Sequence, residues 1–162
     1  FTPLESCERI VAGYVDGPTI EHGGTRAFYR PSNDTVRMPE PERFSPSEQY
    51  YGTLFHELAH STGHSLRLDR GLDTEPSAFG SPDYGREELV AEIAAAFLCA
   101  EAGIDPVTIE NSAAYLQGWL NSLKQDQQLV MQAAGAGQEA AAVRLVAQRS
   151  LCRPQAWPAR PR

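Results

Sequence analysis

Cysteine is scarce in this chain and shows no pairing pattern. Cys7, Cys99 and Cys152 are odd in number, far apart and without CxxC spacing. That argues against a disulfide framework or a thiolate metal site and fits reduced thiols in a cytoplasmic protein. Cys99 lies in an alanine-rich apolar stretch and reads as core. Long apolar runs are missing too: none approaches the roughly 18–20 residues of a membrane span. No basic segment leading into an apolar one marks a signal peptide. The chain opens on Phe1 and not on Met, which fits a fragment or domain of something longer. No internal repeat and no long linker is visible.

Positive charge is short over most of the length. Net charge is −7, but Arg144, Arg149, Arg153, Arg160 and Arg162 all follow the last acid, Glu139, so the remainder stands at −12. An acidic body repels phosphate backbones and makes the chain alone a poor nucleic-acid binder. What is present is the make-up of one soluble globular domain: 162 residues, 41% hydrophobic and 22% charged, enough to bury a core. The expected division is a folded domain over 1–149 and a basic tail over 150–162, whose "SLCRPQAWPARPR" has three prolines and no periodicity and reads as disordered.

Along the domain, residues 4–14 read as a short helix with Leu4, Ile10, Val11 and Tyr14 on its apolar side. Three short extended runs follow, Thr19–Glu21, Ala27–Tyr29 and Thr35–Met38, with "RPSND" as the turn of a hairpin between the last two. Ser45-Pro46-Ser47-Glu48 has the form of a capping box with proline at the first helical position. The helix it opens carries Tyr50, Leu54, Leu58 and Ser61, and Gly63 is the expected left-handed stop. A loop over about 69–85 leads to a helix over about 86–102, bounded by Gly103. Two further helices are expected over about 112–123 and 127–148, the last weakened or kinked by "AAGAG" at 133–137.

The chemistry concentrates in "FHELAHSTGH", residues 55–64. His56 and His60 are four apart and project from one helical face, close enough to hold a single ion. Glu57 follows the first histidine and can reach a water bound to that ion. This HExxH arrangement supplies two imidazole ligands and a carboxylate general base. The motif is short enough to arise by chance, and two packed or surface histidines are the bland alternative. The longer form HExxHxxGxxH fails: Gly63 stands at the glycine position, but Leu66 occupies the place of the third histidine. His64 comes two positions too early and reads as a supporting or surface group.

A third ligand must then come from elsewhere, and "REELVAEIAAAFL" offers one. Glu88 and Glu92 are four apart on a helix whose other inward positions are Ala95, Ala96 and Cys99. Two acids on a buried alanine-rich face are costly unless paired or metal-bound. Glu88 is assigned as the third ligand and Glu92 as the acceptor that orients a ligating imidazole, although the two roles are exchangeable. Glu87, rotated by about 100°, is expected to face solvent. An oxyanion donor would come from Tyr84, in the loop before that helix, or from His64.

HELAHSTGH, then YGREELVAEIAAAFLCAEAGI and NSAAYLQGWLNSLKQD, resemble the zincin-like metallopeptidase domain of bacterial polyvalent proteins, also found in the C-terminal half of ArdC-type antirestriction proteins. The resemblance covers roughly residues 14–141. It implies an α+β fold of the zincin type, a small twisted sheet with an active-site helix and further C-terminal helices. It also implies a gluzincin-like site matching His56, Glu57, His60 and Glu88 with one zinc or other divalent ion, and carriage by plasmids, phages and other mobile elements. A separate N-terminal domain binds single-stranded DNA in the ArdC arrangement; it has no counterpart here, so no nucleic-acid partner and no membrane is expected for this domain. The expected activity is hydrolysis of peptide bonds in a protein or peptide substrate. The competing reading is a catalytically silent binding module with a structural metal, acting against restriction by occupying a partner.

Overall fold

The computed structural model describes residues 1–73, 81–104 and 132–142. Its elements follow in the order α1 (Glu5–Ala12), β1 (Thr19–His22), β2 (Phe28–Arg30), β3 (Thr35–Met38), α2 (Ser47–Ser61) and α3 (Pro82–Ala102), with residues 132–142 also helical. The architecture is α+β. The three strands form one sheet in the order β1-β3-β2, β1 parallel and β2 antiparallel to the central β3. The β2–β3 hairpin turns through a 3-10 turn at Pro31–Asn33 and closes on Asp34 in the left-handed region, φ 49°. A short Asx side chain tolerates that conformation better than most residues.

Strand residues alternate faces, and the inner face of the sheet carries Val36 and Met38, with Ile20 and Tyr29 packed beside them. Against it lie Tyr50, Tyr51, Leu54, Phe55 and Leu58 of α2 and Ala95, Leu98 and Cys99 of α3. Each large α2 side chain removed from water contributes about 1.5–3 kcal/mol. Helix α3 is buried around most of its circumference, by Leu89, Val90, Ala91, Ala94, Ala95 and Leu98. Its small residues let α2 on one side and the 132–142 stretch on the other come close. Cys7 and Cys99 are buried, and neither is in a disulfide among the described residues.

Three sequence expectations change. No capping box forms: Pro46 is the N-cap residue of α2 and has no side-chain cap bond, and the Ser47 hydroxyl instead accepts from the Thr2 N–H. Gly63 is not a left-handed stop, since α2 ends on Thr62 in the right-handed region. A Cβ at Gly63 would lie 2.7 Å from Leu72 and 3.0 Å from Arg70, so a side chain there would have to push the ends of those two aside. Helix α3 starts at Pro82, earlier than expected, because Ser81 accepts from the Tyr84 N–H and proline fits the first turn. Residues 132–142 are helical, "AAGAG" included. Gly137 faces α3, where a Cβ would meet Ile93 at 2.7 Å, so its small size serves the packing. At Gly103 the expected left-handed cap is present, φ 74°. The expected helix at 112–123, the remainder of 127–148 and the tail at 150–162 lie outside the described residues.

Candidate metal centre

Helix α2 presents His56 and His60 to α3, which runs past it in the opposite direction. His56 meets Glu92, and His60, one turn further along α2, meets Glu87, more than one turn back along α3. The His56 Nδ1 lies 3.1 Å from Glu92 Oε2, and the His60 Nδ1 lies 3.2 Å from Glu87 Oε1. An ionised carboxylate only accepts, so each Nδ1 carries a proton and donates it. That leaves the two Nε2 atoms turned inward, 3.1 Å apart. Glu88 stands before both, at 3.6 Å from the His56 Nε2 and 3.7 Å from the His60 Nε2. One ligand atom from each of His56, His60 and Glu88 lies within 4.8 Å of the other two.

This donor set fits a cation. Two imidazole lone pairs and a carboxylate converge on one point where only positive charge relieves their repulsion. Burial by itself disfavours charged His56, but Glu88, Glu92 and Glu57 outweigh it and push its pKa up to about 10. Either a proton or a metal ion can satisfy that demand.

Glu87 corrects the expectation of a solvent-facing side chain: it is 14% exposed and held from two sides. Besides accepting from His60 it receives two bonds from Arg70, Nε at 2.8 Å and Nη2 at 2.7 Å. Burial opposes its ionisation, yet Arg70 and His60 hold its carboxyl below the usual range. Arg70 is itself fixed by the Thr62 hydroxyl and the Ala59 carbonyl of the α2 C-terminus. The signal for Glu87 was arithmetical. Two ligating imidazoles call for two outer carboxylates, and Glu92 serves one. A rise of about 6 Å from His56 to His60 is matched by about 7.5 Å from Glu92 back to Glu87.

Glu57 lines a cleft of about 560 Å³ together with His56, His60, Glu88, Tyr84 and, across from them, Arg26, Ala27 and Phe28 at the start of β2. Tyr84 belongs to the first turn of α3 and not to a loop. Burial first, then its bond to Glu88, pushes its phenol up to about 12, so it remains a neutral donor at pH 7. His64 is directed elsewhere. Its Nδ1 accepts from the Leu66 N–H, and its Nε2 lies 3.6 Å from Asp73.

The model of a family described as zincin-like metallopeptidase matches residues 5–136. Among curated relatives, a DNA primase TraC of Escherichia coli is 43% identical over 137 residues, which are 83% of this chain and 12% of the primase. The protein y4eC of Sinorhizobium fredii is 38% identical over 138 residues, 85% of this chain and 43% of its own length. Among solved structures, the antirestriction ArdC protein from plasmid R388, in its Mn(II)-bound form, superposes with a TM-score of 0.73 at 36% identity, over 90% of this chain and 53% of that one. The metal-free form of ArdC gives 0.71 at 35% identity, over 94% and 53%. The chain thus spans about half the length of ArdC and less of the curated relatives. Matched over most of its length and carrying the imidazole pair on α2, the chain belongs to the zincin-like metallopeptidase family.

Proposed function

We propose that this domain is a zinc-dependent peptidase of the gluzincin type, from a cytoplasmic antirestriction-type protein of a mobile element. His56, His60 and Glu88 would hold the ion, and the observation that carries the reading is the inward convergence of both Nε2 atoms and Glu88 on one point. When bound, the ion supplies Lewis acidity that acidifies water and polarises a carbonyl. Glu57, beside His56 in the same cleft, takes the proton of the attacking water and passes it to the departing amine. Tyr84 donates its phenolic proton in a hydrogen bond to the oxyanion that develops as the carbonyl becomes tetrahedral. Glu92 and Glu87 fix the tautomer and direction of the two imidazoles. Two imidazoles and a carboxylate suit zinc but also accept manganese, and the Mn(II)-bound ArdC makes that ion the first competitor to test. Incubating zinc-loaded protein with host lysate is expected to yield cleavage products that vanish in Glu57→Ala. Identical peptide patterns from the two proteins would sink the reading.

The second reading is a silent binding module with a structural ion. It is favoured by the likeness to ArdC, an antirestriction protein, and by a body at −12 whose acidity can imitate DNA to a DNA-binding protein. An antirestriction phenotype undiminished in Glu57→Ala would select it.

A further inference from the structure

The body of this chain is acidic, yet one cavity on it has three arginines among its nine lining residues. It measures about 470 Å³ and opens on the outer face of the sheet. Strand alternation places Glu21, Arg37, Phe28 and Arg30 there, opposite the core side chains Ile20, Val36 and Tyr29. Arg26, from the β1–β2 connection, completes the basic lining. Arg37 is compensated: its Nη1 lies 3.0 Å from Glu21, and its Nε donates to the Gly23 carbonyl. Arg26 and Arg30 enter no ion pair among the described residues, and Arg30 lies over the Phe28 ring at 5.3 Å.

The place of this cavity gives the charge its meaning. Arg26 and Phe28 also line the metal cleft, so the two cavities meet around β2. That strand is the sheet edge: among the described residues it pairs with β3 alone. An extended segment lying along the edge would have its backbone beside β2 and its side chains within reach of Arg26 and Arg30.

We propose that this path binds an extended acidic peptide segment, so that substrates carry glutamate or aspartate on the side of the scissile bond that lies over β2. The inference rests on the peptidase reading for the word substrate but not for the binding itself. Arginine beside an aromatic ring also suits single-stranded nucleic acid. Here the Glu21 carboxylate in the wall and the surrounding negative charge oppose a continuous run of phosphates, whereas carboxylates spaced by neutral residues can meet the two free guanidinium groups singly.

The test is fluorescence anisotropy with metal-loaded Glu57→Ala protein and three labelled probes: a glutamate-rich peptide, the same peptide with glutamine at every glutamate, and an oligothymidylate. The glutamate peptide should bind about tenfold more tightly than its glutamine counterpart, with a preference that fades as salt rises. Arg26→Ala/Arg30→Ala should abolish the preference at unchanged melting temperature, and Arg26→Glu/Arg30→Glu should transfer it to a lysine-rich peptide. Equal binding of the two peptides, a preference untouched by the arginine changes, or tighter binding of the oligothymidylate would overturn the proposal. Wild-type protein that binds the acidic peptide and cleaves nothing would retire the peptidase reading while supporting this one. Cleavage without acidic preference would retire this inference alone.

Discussion

Two clusters of charge flank the C-terminal half of α2, and they are built on opposite principles. On the sheet side Arg67 forms a two-oxygen pair with Asp34, which also accepts from the Tyr29 hydroxyl at 2.8 Å. The Arg67 Nε donates to the Ser61 carbonyl at 2.7 Å, so the pair ties the hairpin to the end of the helix. Its charges cancel. On the α3 side, Glu87, Glu88 and Glu92 gather around two imidazoles, and Arg70 pairs with Glu87. Balanced charge is complete without a ligand and holds the fold together. Unbalanced buried charge is costly to leave in place, and a bound cation is what makes it tolerable.

If that contrast is right, the α3 cluster should respond to metal far more than to anything else. An ion present at about a thousand times its dissociation constant adds about 4 kcal/mol to stability. For a chain of this size that corresponds to a rise in melting temperature of roughly 10 °C. Calorimetry with and without a chelator should show that rise in wild type, and Glu88→Ala should lose both the rise and the metal measured by mass spectrometry. Retention of a stoichiometric ion in Glu88→Ala would place the third ligand on Glu92. A wild-type melting temperature indifferent to chelation would erase the contrast.

The sheet-side cluster should behave the other way round. Arg67→Ala leaves Asp34 partly buried without its partner, at a cost of about 3 kcal/mol, because the Arg67 side chain is 6% and Asp34 26% exposed. The metal content per folded molecule should be unchanged. Replacing both residues with apolar ones of similar volume should cost less than the single change. Loss of metal from folded Arg67→Ala would mean that the two clusters are coupled through α2.

A finer separation concerns the outer carboxylates. Glu87→Ala and Glu92→Ala should each weaken metal affinity by about 10–100-fold without removing a ligand. Competition titration against a chromophoric chelator reads this directly. Equal affinity in Glu87→Ala would reduce that residue to a partner of Arg70 and nothing more.

How much of this was legible in the sequence follows the same division. The grouping of His56, His60 and Glu88 could be read because helical spacing aligns the first two, and an alanine-rich face makes buried acids conspicuous. The strands showed through their turn residues; the observed hairpin differs from the expected one by single positions at its ends. Glu87 was hidden because a helical wheel assumes one buried stripe, whereas α3 is enclosed by α2 and by the 132–142 stretch and buries acids on adjoining sides. Arg70 was hidden because nothing local announces that a loop cation will fold back onto α2. The early start of α3 was legible in Ser81-Pro82, but the glycine and proline around it read more strongly as loop. Gly137 carries a lesson of a different kind, since what favours glycine there is Ile93, a neighbour distant in sequence.

The smallest expected effect is a pH dependence, and it isolates the balanced cluster. Burial opposes ionisation of Asp34, but Arg67 and the Tyr29 hydroxyl outweigh it and hold the carboxyl below its ordinary value of 3.8. A carboxyl with a lowered folded-state pKa contributes stability that is fully present above its unfolded value and is lost as pH falls through the folded one. Wild type should therefore exceed Asp34→Asn in melting temperature at neutral pH, and the gap should narrow only below about pH 4. The same titration run with chelator present keeps metal release by acid out of the comparison. A gap that closes already between pH 7 and 5 would assign the effect to a group other than the Asp34 carboxyl.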